Sequence, residues 1–206
     1  MPANTVINTL KSISPNSLHH AGYLAVAKTR AKALHAFALV VPIPRPQLFI
    51  GEQSCYELCD MMINEGATNI LIVTDAVLNQ LGIPEKVTAY LEGITPDPTF
   101  SVVEEGLRHS VDNNCDAILA LGGGSVIDAS KIIAISQATK RKPQKLMGLL
   151  KASKCMPLYC IPTTAGTGSE ATLGAVISDD ATHQKSLSID PRMVPLASAV
   201  DPAIMK

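Results

Sequence analysis

Two short runs in this sequence carry residue types suited to anions and hydroxyl groups. The first is Gly122-Gly123-Gly124-Ser125, which follows the apolar run Ala117 to Leu121. It leads into a segment bearing Ile127, Ile132, Ile133 and Ile135. Glycines at a strand-to-helix turn let the backbone approach an anion with no Cβ in the way. A helix starting at Ser125 adds unbonded N–H groups and the positive end of its dipole, an arrangement that suits a pyrophosphate. The run is neither G-x-G-x-x-G nor a Walker loop, which would end in Gly-Lys-Ser/Thr. A purely structural tight turn is the alternative.

The second run is Pro162-Thr163-Thr164-Ala165-Gly166-Thr167-Gly168-Ser169-Glu170, after the apolar stretch Leu158 to Ile161. Its threonines and serine make a hydroxyl-rich loop that can line ribose and phosphate. Hydroxyls at such turns also cap their own backbone, which is the competing use. Both runs lie at the carboxyl end of a predicted strand, the edge where open α/β sheets bind ligands.

The elements that must position these runs alternate strand and helix. Leu48 to Ile50 reads as a short apolar strand, Ile70 to Val73 and Ala117 to Leu121 as buried strands, and Leu158 to Ile161 as a further strand. Ser54 and Glu57 have capping-box spacing ahead of the stripe Leu58, Met61 and Met62, and Gly66 closes that helix. Short helical pieces are expected over Ala76 to Leu81 and, after Pro84, near Val87 to Leu91. A longer helix spans Glu104 to Asn113. Ala175 to Ile177 and Ser186 to Ile189 flank Asp179-Asp180 as a hairpin. Strands alternating with helices imply an α/β, Rossmann-like parallel sheet with flanking helices and right-handed crossovers. Pro42, Pro44 and Pro46 separate this region, residues 42–206, from an N-terminal arm, residues 1–41, with a helical stretch from Tyr23 to Ala38.

Composition narrows the partners. Of 206 residues, 47% are hydrophobic, 3% aromatic and none is Trp, so the core must be aliphatic, as in a sheet covered on both faces. With 17 basic and 18 acidic residues the net charge is −1, which gives no footprint for nucleic acid. The cluster Lys140, Arg141, Lys142 and Lys145 reads as a solvated loop. Five cysteines without paired spacing read as reduced thiols in a cytoplasmic protein, not as a zinc site. No apolar run reaches membrane-spanning length, and the N-terminus lacks the pattern of a signal peptide.

Together, Gly122-Gly123-Gly124-Ser125-Val126-Ile127-Asp128-Ala129-Ser130-Lys131 and Pro162 to Glu170 resemble the paired signature of the iron-containing alcohol dehydrogenases. The resemblance runs from about Pro42 to Lys206 and includes Ile72 to Asp75 and Pro96 to Thr99. It implies a dehydroquinate synthase-like N-terminal domain that binds NAD(P), joined in the family to an all-helical metal-binding domain. It further implies that Gly123, Gly124 and Ser125 hold the pyrophosphate and that Thr163, Thr164 and Thr172 contact the cofactor. Asp128 and Thr167 belong to the same cofactor-binding set, Lys185 would reach the nicotinamide ribose, and Asp97 would lie near the adenosine. Asp75 follows the first strong strand, where a carboxylate can accept from the adenine ribose hydroxyls. It would also repel a 2′-phosphate, so NAD is expected over NADP. A helix N-cap aspartate, worth about 1 kcal/mol, is the bland alternative there.

The implied activity is hydride transfer between NAD(P) and a primary alcohol or aldehyde, with iron or zinc as Lewis acid. The family's metal ligands, one Asp and three His, are expected beyond Lys206, so the all-helical metal domain is expected to be absent. His19, His20, His35, His109 and His183 match none of them. No catalytic residue is assigned to this chain. An inactive nucleotide-binding module or a glycerol dehydrogenase-like relative are the other readings. The segment between Asp75 and Pro96 is shorter than the family pattern, by loss of a strand or by abbreviation. An apolar face that would pack on the helical domain predicts self-association or a disordered C-terminal end, and a homo-oligomer is expected.

Overall fold

The computed structural model describes residues 44–75, 78, 89–91 and 100–205, within a compact unit spanning 44–206. In chain order the elements are β1 (Gln47–Ile50), α1 (Ser54–Asn64), β2 (Ile70–Thr74), β3 (Ala89–Leu91) and α2 (Phe100–Asp112). There follow β4 (Ala117–Gly122), α3 (Gly124–Thr139), β5 (Gly148–Leu149), β6 (Leu158–Pro162), β7 (Gly174–Ser178), β8 (Lys185–Ile189) and β9 (Ala197–Val200).

Six strands form one sheet in the order β1-β9-β6-β4-β2-β3, and every neighbouring pair is parallel. Its central strands β4 and β6 are buried along their whole length, as the unbroken apolar runs predict. Alternation then sorts their side chains between two cores. Ile118 and Ala120 point with Leu158 and Cys160 into a core shared with α3, Val103 of α2, and Ala175 and Ile177 of β7. Ala117, Leu119 and Leu121 point the other way, with Tyr159 and Ile161, against Leu58 and Met62 of α1. The expected α/β sheet with helices on both faces is what forms.

Helix α3 has no solvent-facing stripe over its middle: Val126, Ile127 and every residue from Ala129 to Ser136 are buried. An all-round apolar helix must be covered on all sides. The sheet and α2 cover part of it, and β7 packs along another side. The hairpin expected around Asp179-Asp180 is β7 with β8, antiparallel, and β5 adds to β8 in parallel to make a second, three-stranded sheet.

Three local expectations are corrected. Ser54 does not cap α1: Gln53 is the N-cap, with φ 68°, and the Ser54 hydroxyl is buried without a partner. The cap comes instead from Asp201, after β9, which accepts from the N–H groups of Gln53 and Cys55. Residues 89–91 form a strand parallel to β2 where a helix was expected near Val87 to Leu91, so the short 76–96 segment keeps a strand by abbreviation. The open edge of β2 decides this, because an unpaired strand edge offers a backbone ladder that outweighs weak local preference. Helix α2 starts four residues before the expected Glu104, because Asp180 of the hairpin turn accepts from the N–H and hydroxyl of Ser101 at 3.1 and 2.6 Å. Gly66 ends α1 as expected, in the left-handed region at φ 90°, with Ala67 N–H bonded back to Met62. The helical stretch from Tyr23 to Ala38 and most of Ala76 to Leu81 lie outside the described residues.

Candidate functional site at the carboxyl edge of the sheet

Strands β2, β4 and β6 are neighbours in the sheet, with Thr74 opposite Leu121 and Gly122 opposite Pro162. Their carboxyl ends therefore bring three segments side by side: Asp75 after β2, the glycine turn after β4, and the hydroxyl-rich loop after β6. A hydrogen bond from Thr163 N–H to Gly122 O, at 3.1 Å, joins the last two directly.

The glycines serve close approach more than unusual backbone angles. Gly123, the N-cap of α3, is extended at φ −76°, ψ −175°. A Cβ on Gly123 would lie 3.3 Å from Thr164 Oγ1, and one on Gly124 would lie 3.0 Å from Thr167 Cγ2. A Cβ on Gly122 would meet Val126 Cγ2 at 2.6 Å, closer than real atoms come. At Gly123 and Gly124 the turn and the hydroxyl loop thus pack so closely that a side chain would press on the threonines. Thr164 and Thr167 are exposed above that contact, and Thr163 is half-buried.

Carboxylates from elsewhere in the chain serve α1 and α2, namely Asp201 and Asp180. The N-cap of α3 is Gly123, which brings no side chain of its own to the first turn. The first-turn N–H groups of a helix have no intrahelical acceptors, and here the dipole of a 16-residue helix stands behind them.

Asp128 and Thr172 act within the protein. Asp128 Oδ1 accepts from the Ser169 hydroxyl at 3.2 Å, and its Oδ2 accepts from Val176 N–H at 3.0 Å. Burial pushes this carboxyl above the usual range, against the opposing pull of Val176 N–H, Lys131 and Ser169. Thr172 Oγ1 accepts from Lys131 and donates to Ser169 O at 3.4 Å. Asp75 is half-buried, and its Oδ1 accepts from Leu78 N–H at 3.0 Å, so it makes the helix-start bond of an N-cap aspartate. Lys185 is exposed at the start of β8, paired with Ser178 at the hairpin tip. Because Asp180 of that tip reaches the N-terminus of α2, the tip also stands at the carboxyl edge. Asp97 lies outside the described residues.

Sequence reading missed Lys131 and Ser169 as site residues. Lys131 is fully buried in a run of apolar helix, which was a signal available in the sequence, since lysine is almost never buried without partners. Ser169 gave no signal beyond its place in the loop. A cleft of about 790 Å³ lies at the opposite end of α3, lined by Leu107, Val111, Ser136 and Gln137 among others, and so does not mark this site. Among the described residues no group of three or more His, Cys, Asp or Glu is placed to hold a metal ion. All five cysteines are unpaired, and burial pushes the thiols of Cys55 and Cys155 up to about 11 and about 12.

A family model described as iron-containing alcohol dehydrogenase matches residues 45–202. Alcohol dehydrogenase 4 of Schizosaccharomyces pombe is 36% identical over 188 residues, covering 86% of this chain and 44% of that protein. The NAD-dependent methanol dehydrogenase of Bacillus methanolicus is 36% identical over 171 residues, covering 78% of this chain and 45% of that one. Among solved structures, an alcohol dehydrogenase from Oenococcus oeni superposes with a TM-score of 0.72 at 29% identity, over 81% of this chain and 47% of that one. The chain thus spans less than half the length of the relatives it matches.

Proposed function

The chain belongs to the iron-containing alcohol dehydrogenase family, and on that premise we propose that it supplies the NAD-binding part of an enzyme that interconverts a primary alcohol and its aldehyde. The observation that carries this reading is the row of three segments at neighbouring strand ends. Their order runs from Asp75 through the glycine turn to the hydroxyl loop, an acceptor for ribose, a helix N-terminus for pyrophosphate, and hydroxyls beyond. The name of the Bacillus methanolicus relative agrees in cofactor and in substrate class.

When bound, NAD supplies the carbon that accepts or gives up a hydride. The chain's part is to bind and orient. Gly123, Gly124 and Ser125 open the N-terminus of α3 to the pyrophosphate, whose charge the dipole favours. Thr163, Thr164, Thr167 and Thr172 lie beyond the turn on the β6 side, for the nicotinamide half of the cofactor, and Lys185 adds a positive charge at the hairpin tip. Asp75 accepts from Leu78 N–H, and we assign its carboxylate also to the adenine ribose, which selects NAD over NADP. Asp97 retains its assignment near the adenosine, and Asp128 supports the set through Ser169 and Val176. No residue of this chain is assigned proton transfer. The described residues do not fit a metal, so no step is routed through iron or zinc. The unpaired cysteines support a cytoplasmic setting.

NADH fluorescence on titration of the full chain tests this directly. Enhancement that saturates, with NADPH binding more weakly, is the expected result. No change in fluorescence with millimolar-range NADH, and no displacement by ADP, would overturn the reading. A second reading is NADH binding by this chain without turnover. NADH binding with no ethanol oxidation after iron or zinc is added would decide for it.

A further inference from the structure

Lys131 lies two turns into α3 with none of its surface exposed, one turn along the helix from the buried Ile127 and Ile135. An ammonium in such surroundings is tolerated only when its donors are met and its charge is balanced. Lysine has three N–H donors, and three acceptors answer them here: Thr172 O at 2.9 Å, Thr172 Oγ1 at 3.0 Å and Gly174 O at 2.8 Å. Asp128 Oδ1, 4.0 Å away, balances the charge. Burial pulls the ammonium below its usual range, while Asp128, Cys160 and Glu170 push back. Nothing about packing alone requires a cation, because an apolar side chain of similar length would fill the same volume.

We propose that Lys131 is a positioning residue for the dinucleotide, holding the far end of the hydroxyl-rich loop against α3 so that its threonines face the glycine turn. This rests on the dinucleotide reading given above. The loop from Thr163 to Thr172 has no regular strand to hold it, only the short 3-10 turn Ser169–Ala171. It is fastened at its start by Thr163 N–H to Gly122 O. Asp128 holds Ser169 near its end and Val176 beyond it. Lys131 holds Thr172 and Gly174, so two residues one helical turn apart on α3 grip both sides of the junction between loop and β7. The same helix therefore presents its N-terminus to the pyrophosphate and fixes the loop beside it.

Strand order gives the tie a direction. The loop follows β6, and Asp75 follows β2, on opposite sides of the turn after β4. A ligand seated from Asp75 to the glycine turn, such as ADP, does not need the loop, whereas NADH extends past the turn towards it. Loss of Lys131 should therefore separate the two ligands.

The experiment compares NADH and ADP binding to the full chain, to K131M and to D128N/K131M. The double variant removes the balancing charge as well, so that it folds even where K131M leaves Asp128 uncompensated. Expected is an NADH affinity about tenfold or more weaker in whichever variant melts cooperatively, with ADP affinity changed by less than about threefold. Equal weakening of both ligands would reduce Lys131 to a purely structural part and overturn the proposal, as would unchanged NADH affinity. Failure of the unmodified chain to bind NADH would be a different result, sinking the dinucleotide reading and this inference with it.

Discussion

At the scale of single residues, two carboxylates show how one group type does different work. Asp75 bonds Leu78 N–H, and asparagine is an equally good partner for that bond. D75N is therefore expected to change urea-unfolding stability by no more than about half a kcal/mol. What it removes is the negative charge opposing a 2′-phosphate, so the preference for NADH over NADPH should fall by about tenfold or more. An unchanged ratio of the two dissociation constants would leave Asp75 as a helix cap alone. Asp116 has no place in the site but locks the starts of β2 and β4, accepting from the N–H groups of Thr68 and Asn69 and from the Thr68 hydroxyl. Burial alone would raise this carboxyl, and the Thr68 and Asn69 donors outweigh it and hold it below the usual range. A carboxyl lowered on folding takes up its proton first in the unfolded chain. Its stabilisation is full above the usual carboxylate value, near pH 4, and is lost as pH falls below it. Thermal midpoints measured from pH 7 to pH 3 should drop for the wild type, and D116N should start lower and drop less steeply. Parallel curves would remove Asp116 as a contributor to acid sensitivity.

At the scale of elements, the glycine turn makes the sharpest prediction. G122A sets a Cβ 2.6 Å from Val126 Cγ2, at the start of the central helix, and should cost about 1–3 kcal/mol in urea unfolding. G124A presses on Thr167 from 3.0 Å, where an exposed loop can yield, so its cost should fall mainly on NADH affinity. NADH titration and urea midpoints of both variants check this, and equal NADH affinity in G124A and wild type would deny the turn-to-loop contact a role. The sequence made β2, β4 and β6 legible because each is a continuous apolar run, and the turns after them because glycines and threonines concentrate there. It hid β9, whose Ala-Ser-Ala-Val run is small and without period, yet is buried between β1 and β6. It hid the caps of α1 and α2 for a different reason. Asp201 and Asp180 lie far along the chain from the helices they serve, and no local pattern shows such a partner. The site divides in the same way. Glycines and hydroxyls announce themselves by type, while the grip of Lys131 and Asp128 on Thr172, Gly174, Ser169 and Val176 exists only after folding.

At the scale of the whole molecule, among the described residues the sheet ends on one side at β1, which pairs with β9 alone. A parallel edge strand presents a row of unpaired N–H and C=O groups along its free side. On one face of this strand Leu48 and Ile50 are 51% and 73% exposed, and Leu196 beside its start is 49% exposed. Surface leucines taken singly mean little, but apolar side chains grouped on an open sheet edge mark a place for association. Charge does not oppose it, since the formal net charge is −1. Static light scattering of the full chain is therefore expected to give at least twice the 21.7 kDa of one copy. I50K should shift that mass towards a single copy, because a lysine on an edge strand is the usual device against pairing. The melting profile of I50K should stay close to wild type, as residue 50 is exposed and touches no core. A monodisperse species at 21.7 kDa in the wild type, binding little hydrophobic dye, would show that this edge stands alone in solution. The expected homo-oligomer would then need another surface or would not form.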